Sequence, residues 1–311
     1  MSQRNGLFKE LIKNRALFIL MLPGLLYLFI NNYIPMVGAV IAFQRVHYGK
    51  NIFETYFKSP FVGFKNFEFF LNTDYAWIIT RNTVLYNLVF IFGGLFLAVT
   101  VAIALNEIMF KRLAKAYQSF IILPNFLSWV VISGIVYALL TSNGFINSIL
   151  VDVFGKEPIS FYSEQKYWPF IIIYVRNIYA VGVDSIIFLA AISGINGEYY
   201  ESAMIEGASK WNQIKNITLP LLKPTVVTLL LIWLGSIFSA NFGLFYNVPR
   251  ESGILFNVTN VLDTYVFRSL RVNGQIEMAS AASLYQSVVG FVIVLAANAL
   301  TRKVDSENSL F

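Results

Sequence analysis

Cysteine is absent from this 311-residue chain, and histidine occurs once, as His47. Disulfides, thiol catalysis and thiolate metal sites are therefore excluded, and one imidazole cannot build a metal cluster. Charge is scarce as well: Asp, Glu, Lys and Arg are 13% of the residues, against about 25% in soluble domains. No G-x-x-x-x-G-K-[ST] phosphate loop occurs. The "YGKN" at 48–51 and "FGKE" at 154–157 lack its leading glycine spacing and its Ser or Thr, so the chain has no ATP-hydrolysing loop of its own.

What is abundant is apolar surface. Hydrophobic residues are 57% of the chain and the mean hydropathy is +0.64, the balance of a polytopic membrane protein. The net charge of +6 does not point to nucleic acid. The bases sit in short groups beside apolar runs, the pattern that orients membrane helices.

A spanning helix needs roughly 20 mostly apolar residues. Such runs lie at 16–43, 83–106, 118–141, 167–195, 225–247 and 278–301. Five of them carry no Asp, Glu, Lys or Arg, whereas the fourth contains Arg176 and Asp184. The expected fold is all-α, with six transmembrane helices. The first run exceeds a signal-peptide core and no small-residue cleavage pattern follows it, so it is read as an uncleaved helix.

Short basic loops stay on the cytoplasmic side. Arg4, Lys9, Lys13 and Arg15 precede the first run, Lys111, Arg112 and Lys115 separate the second from the third, and Arg302 and Lys303 follow the sixth. These groups share one side if there are six spans, which makes both ends cytoplasmic. The implied organisation is a leader at 1–15, a first span at 16–43, an extracytoplasmic loop at 44–82, a five-helix core at 83–301 and a tail at 302–311. The leader's "GLFKELIKNR" puts Leu7, Phe8, Leu11 and Ile12 on one face, which suits a short amphipathic helix on the inner surface or, equally, a basic frayed tail. The loop 44–82 carries five bases diluted by Glu54, Glu68 and Asp74. His47, just outside the first span, reads as an interfacial hydrogen-bonding residue rather than a proton relay.

The segment 198–224, "EYYESAMIEGASKWNQIKNITLPLLKP", is polar yet lies between two apolar runs. Its apolar residues Ala203, Ile205, Ala208, Trp211, Ile214 and Ile217 recur at near-helical spacing, which predicts two short amphipathic helices joined at Gly207. Pro220 and Pro224 are expected to end the second and start the next span. A connection between packed helices needs only about 2 to 8 residues. This one is long enough to touch a partner; an interfacial helix on lipid headgroups is the alternative, which its glutamates disfavour.

The segment resembles the EAA loop of permease subunits from binding-protein-dependent ABC importers. Glu201-Ser202-Ala203 stands for Glu-Ala-Ala, Gly207 for the glycine and Ile217-Thr218-Leu219-Pro220 for the Ile-x-Leu-Pro ending. Ser202 replaces the middle alanine, and Glu206 an aspartate common before the glycine. Around it "LPGLLYLFINNYIPMVGAVIAF", "FVGFKNFEFFL", "RNTVLYN", "ILPNFLSWVVISGIVYALL", "IIFLAAISGI", "DTYVFRSL" and "AASLYQSVVGFVIVLAANAL" are similar, in order, to the carbohydrate branch of that family, especially to permeases for complex oligosaccharides.

The resemblance implies the type I importer permease fold in a bacterial plasma membrane, and no cofactor in this chain. ATP and Mg would be bound by two cytoplasmic ATPase subunits docking on the loop. There Glu201 would meet a basic residue, Ala203 would pack, Gly207 would turn, and Ser202 and Glu206 would complete the contact. A second permease subunit would form a heterodimer, and segments 44–82 and 248–277 would face an extracytoplasmic binding protein. Sugars bind through aromatic faces, amides and carboxylates. The candidates in the fourth and fifth spans are Asn177, Tyr179, Asp184, Trp233, Asn241 and Tyr246; most aromatics in so aromatic a chain are packing or lipid-facing residues. Arg176 and Asp184 are eight residues apart, about 12 Å along a helix, and are not expected to pair. An ion-coupled carrier is the other reading, resting on Asp184 alone. An enzyme is disfavoured, because no His, Asp or Glu cluster or nucleophile motif lies near a membrane face.

Overall fold

The computed structural model describes residues 13–47 and 51–304. Most of the expected amphipathic leader and the end of the tail lie outside them. Six helices among the described residues are long and apolar enough to cross a membrane.

The first, α1 (Arg15–Phe43), carries a π turn at Phe29–Tyr33 and tightens to a 3-10 helix over Val37–Phe43. No residue of Arg15–Leu28 is buried against the rest of the chain. Its far end is anchored, since Asn66 Nδ2 donates to the carbonyls of Ala42 and Gln44, both at 2.9 Å. The loop that follows holds α2 (Ile52–Lys58) and α3 (Lys65–Leu71). Within it the His47 backbone N–H donates to Ser59 Oγ at 3.0 Å, and the His47 ring Nδ1 lies 3.1 Å from the Arg45 carbonyl oxygen.

The second spanning helix, α4 (Asp74–Asn106), starts nine residues before the expected 83. Thr73 caps it, its Oγ1 accepting the Ala76 N–H at 3.3 Å, and Asp74 lies in its first turn, where acid favours a helix start. At 1.5 Å per residue it is about 50 Å long, longer than a bilayer core. Ile79, Thr83, Tyr86, Phe90, Gly94, Ala98, Ala102 and Leu105 form a buried stripe at three-to-four-residue intervals, and the helix packs on α8 (Trp168–Ser193).

The third expected span, 118–141, is not one helix. α5 (Lys111–Ile122) gives way to a 3-10 turn at Leu123–Phe126, and α6 (Trp129–Leu140) starts afresh with Ser128 Oγ accepting the Val131 N–H at 3.4 Å. Pro124 supplies no N–H and Ser128 caps, so the chain breaks although its apolarity does not. α7 (Phe145–Asp152) follows. Beside the break, a Cβ on Gly182 of α8 would lie 2.4 Å from the Ile121 carbonyl oxygen. The two segments meet backbone to backbone, which only glycine permits.

The polar segment forms α9 (Gly197–Ile205) and the start of α10 (Lys210–Leu234). Pro220 and Pro224 do not separate two helices there, contrary to the sequence expectation. α10 runs through both, because a π turn at Ile214–Thr218 widens the helix just ahead of Pro220, where the missing N–H would otherwise interrupt the ladder. The fifth expected span, 225–247, is displaced in turn. The helix ends at Leu234, residues 235–241 are unwound, and α11 (Phe242–Asn247) follows. α12 (Leu262–Arg271) then packs on α13 (Ile276–Val304), the last span, which also receives the end of α1.

Two apolar cores result. Ile91, Leu95, Phe188, Leu229 and Phe238 lie in the one nearer α9 and α10, and Tyr86, Ile132, Trp168, Leu244 and Val248 in the other. Trp168 is fully buried and its Nε1 donates to the Phe161 carbonyl at 2.7 Å, as a buried indole N–H requires.

Candidate functional site

At one end of the bundle the segment after α8 makes a rigid corner. Asn196 Oδ1 accepts the Glu198 N–H at 3.1 Å and starts α9. The helix stops at Gly207, whose φ of +82° is the left-handed conformation that glycine adopts without cost. Its N–H donates to Met204 at 3.0 Å and the Ala208 N–H to Ala203 at 2.8 Å, a Schellman arrangement that satisfies the helix's last carbonyls. Ser209 caps α10, and the buried Gln213 donates from Nε2 to the Ala208 carbonyl at 3.1 Å. Tyr200 and Thr218 share a hydroxyl hydrogen bond of 2.9 Å. The two helices joined at a glycine are present, braced against one another.

What the corner presents is unusual for a connecting loop. Tyr199, Met204 and Trp211 are exposed and Ile205 is 87% exposed, beside exposed Glu201, Ser202 and Glu206, with Ala203 half-buried. A groove of about 360 Å³ runs between the two helices, lined by Tyr199, Ser202, Ala203, Glu206, Asn212 and Asn216. A contiguous apolar patch rimmed by acids marks a protein contact. Lys210 ties the corner to the end of α4 through Glu107, 3.3 Å away.

The second feature lies inside the bundle, beside the middle of α8. Both broken spans meet there. The unwound 235–241 segment is held by distant side chains: Asn87 Nδ2 donates to the carbonyls of Ile237 (2.7 Å) and Ser239 (3.3 Å), and Asp263 Oδ2 accepts the Ala240 N–H at 2.7 Å. Gln286 Nε2 reaches both oxygens of Asp263 at 3.4 Å. Burial pushes the Asp263 carboxyl above the usual carboxylate range, and the Ala240 N–H and Gln286 amide pull it back. From the other break, Asn125 Nδ2 donates to the Tyr179 carbonyl at 3.5 Å. Trp129 stacks on Tyr179 at 4.2 Å between ring centroids, and a Cβ on Gly243 would overlap the Trp129 ring at 2.1 Å. Unwound backbone at membrane depth is tolerated only where protein or a water-filled cavity satisfies it, and discontinuous helices are where transporters build substrate sites.

The candidate residues fall into three places. Asp184 pairs with Arg176, Nη1 to Oδ2 at 3.6 Å, and Arg176 also lies over the Phe90 ring and against Gly94, beside Trp233. This corrects the expectation that the two charges stay apart. Helical side chains lean toward the N-terminus, so Asp184 points back at Arg176, and the long arginine spans the remainder. Trp233 is half-buried against the core that holds Ile91, Phe188 and Leu229. Tyr179 joins Trp129, while Asn177 lines an apolar cavity of about 730 Å³ between α6 and α8 together with Tyr179, Tyr174 and Phe170. Asn241 caps α11, its Oδ1 accepting the Leu244 N–H at 3.0 Å, and Tyr246 packs with Phe242 and Phe267 at 4.9 and 5.0 Å. Trp129, Asn87, Asp263 and Gln286 went unsingled in the sequence. Amides within apolar runs were the available signal for Asn87 and Gln286.

Asp263→Ala, which leaves a buried N–H without its acceptor, is expected to lower stability by about 1–3 kcal/mol. Asp263→Asn keeps an acceptor and should recover most of it, as thermal unfolding in detergent would measure.

Residues 94–306 match the family model described as "Binding-protein-dependent transport system inner membrane component". The chain is 31% identical over 300 residues to protein LplB of Bacillus subtilis (strain 168), covering 95% of this chain and 91% of LplB. It is 32% identical over 314 residues to the polygalacturonan/rhamnogalacturonan transport system permease protein YteP of the same organism, covering 98% and 93%. In three dimensions it is similar to a chain of a bacterial ABC transporter involved in the import of the acidic polysaccharide alginate, with a TM-score of 0.86, 28% identity and coverage of 96% and 99%. A second crystal structure of a bacterial alginate ABC transporter, in complex with an alginate pentasaccharide-bound periplasmic protein, gives 0.85, 30%, 96% and 98%. With the type I importer permease fold and more than half its length within the family model, this chain belongs to the binding-protein-dependent transport system inner membrane components, as a multi-pass transport subunit.

Proposed function

We propose that the chain forms half of the path by which an oligosaccharide, delivered by an extracytoplasmic binding protein, enters a bacterial cell, and that ATP hydrolysis reaches it through the α9–Gly207–α10 corner. The observation that carries this reading is the corner itself: braced internally and, among the described residues, without an ion-pair partner at Glu201 and Glu206 and with Ile205 left uncovered. One of the two cytoplasmic ATPase subunits, which would bind the ATP and Mg, fits there. Glu201 meets a base, Ala203 and Ser202 admit close packing, Glu206 adds charge and Gly207 fixes the angle between the helices. That end is then cytoplasmic, with both termini.

The oligosaccharide reading draws on the similar proteins, whose descriptions concern polygalacturonan/rhamnogalacturonan and alginate. The aromatic and amide groups beside the two breaks suit such a ligand. Tyr179, Asp184, Trp233, Asn241 and Tyr246 approach the break region, and Asn177 the adjoining cavity. A second permease subunit supplies the other half. The bare face of α1 supports it, since Asn31 and Asn32 lie within the span with exposed side chains, and an amide there is better placed against protein than lipid.

Proteoliposomes holding the chain with its partner permease and ATPase should take up labelled oligosaccharide only with ATP and loaded binding protein. Uptake driven by a proton or sodium gradient without ATP would instead identify an ion-coupled carrier.

A further inference from the structure

A cavity of about 610 Å³ lies where the end of α4, the first turns of α5, the end of α8 and the corner converge. Lys111, Lys115 and Lys210 line it, against one carboxylate, Glu107, which is engaged with Lys210. Lys111 and Lys115 have no carboxylate within ion-pair distance among the described residues. Two positive charges in a shared concavity thus stand uncompensated, with the Gln118 amide one turn further along.

The two faces of α5 differ. Lys111, Lys115 and Gln118 follow i, i+4, i+7 spacing toward the cavity, whereas Leu113, Tyr117 and Phe120, with the same spacing, are exposed on the opposite face. Just before them, Met109 and Phe110 are 91% and 73% exposed. Apolar side chains this exposed at the mouth of a basic cavity belong at the boundary of the hydrocarbon layer. A ligand matching both features is anionic at one end and apolar at the other.

We propose that this cavity binds the headgroup phosphate of an anionic phospholipid from the leaflet on the α9 side, with the acyl chains leaving its mouth past Met109 and Phe110. Basic pockets between membrane helices on the cytoplasmic side have this chemistry, and the proposal rests on the orientation given above. The lipid phosphate adjoins the Glu107–Lys210 pair, so its occupancy bears on how firmly the corner is tied to α4. Free phosphate shares the charge but not the apolar contacts, and a carboxylate of a docked ATPase shares neither the chains nor the depth.

The full-length chain in nanodiscs of mixed phosphatidylglycerol and phosphatidylcholine tests this by native mass spectrometry during stepwise delipidation. The wild type should retain phosphatidylglycerol, and retention should fall about fivefold per lysine removed in Lys111→Gln and Lys115→Gln. Arg112→Gln should retain it, and the Lys111→Arg, Lys115→Arg double variant should restore it, which separates charge loss from misfolding. Equal retention of the two lipids, retention unchanged in the glutamine variants, or displacement by millimolar glycerol phosphate alone would each overturn the proposal.

Discussion

Gly207→Val is expected to lower ATP-driven uptake by about an order of magnitude while the protein still inserts and assembles its bundle. The reason is conformational rather than steric, because a Cβ at Gly207 meets nothing within 4 Å. At φ +82° a side chain costs about 1–2 kcal/mol, and a β-branched residue there is a genuine outlier. The corner therefore opens. Once the Gly207 and Ala208 N–H bonds are lost, α9 changes its angle to α10, and at about 1.4 kcal/mol per tenfold the docking-competent geometry becomes a minor state. Asn tolerates the left-handed region, so Gly207→Asn should transport at near wild-type rates and Gly207→Ala should fall between them. Uptake by proteoliposomes and ATP hydrolysis stimulated by loaded binding protein are the paired readouts. Uptake equal to wild type in the valine variant would mean the angle is irrelevant to coupling.

Asp184→Ala should destabilise the bundle by about 3–5 kcal/mol, because it leaves the Arg176 guanidinium without its counter-charge in a mostly buried setting. Arg176→Met alone should cost a similar amount through the orphaned carboxylate. The Arg176→Met, Asp184→Leu double variant should regain most of the loss, since replacing both members of a buried pair by apolar groups is often neutral or better. Unfolding temperatures of the three variants and the wild type give the coupling directly. Additive losses would show that the two side chains do not act as a pair. A double variant that folds but transports poorly assigns the pair to the path as well.

The apolar runs and the corner were legible because composition carries them. Six long stretches of hydrocarbon side chains read as helices in a bilayer, and Gly207 marks the turn by residue type. The breaks at 123–128 and 235–241 were not legible. Both keep the hydropathy of their surroundings, and the backbone of 235–241 is satisfied by Asn87, 150 residues before Ile237, and by Asp263. No local window contains those partners. Pro220 misled in the opposite direction: a residue that usually stops a helix sits in one that continues, since a π turn absorbs the missing bond. Arg176 and Asp184 were separated by measuring along the helix axis, a distance that ignores the reach of an arginine.

The absence of cysteine provides the most direct measurement of the central claim. A thiol introduced by Glu201→Cys or Met204→Cys is the only one in the chain, so a short bifunctional cross-linker reports that position alone. With the complex assembled, the account predicts a covalent adduct whose mass is this chain plus one ATPase subunit, strengthened or weakened by ATP, and none from Phe96→Cys on the exposed flank of α4. Adducts from Phe96→Cys but not from either corner position would contradict it.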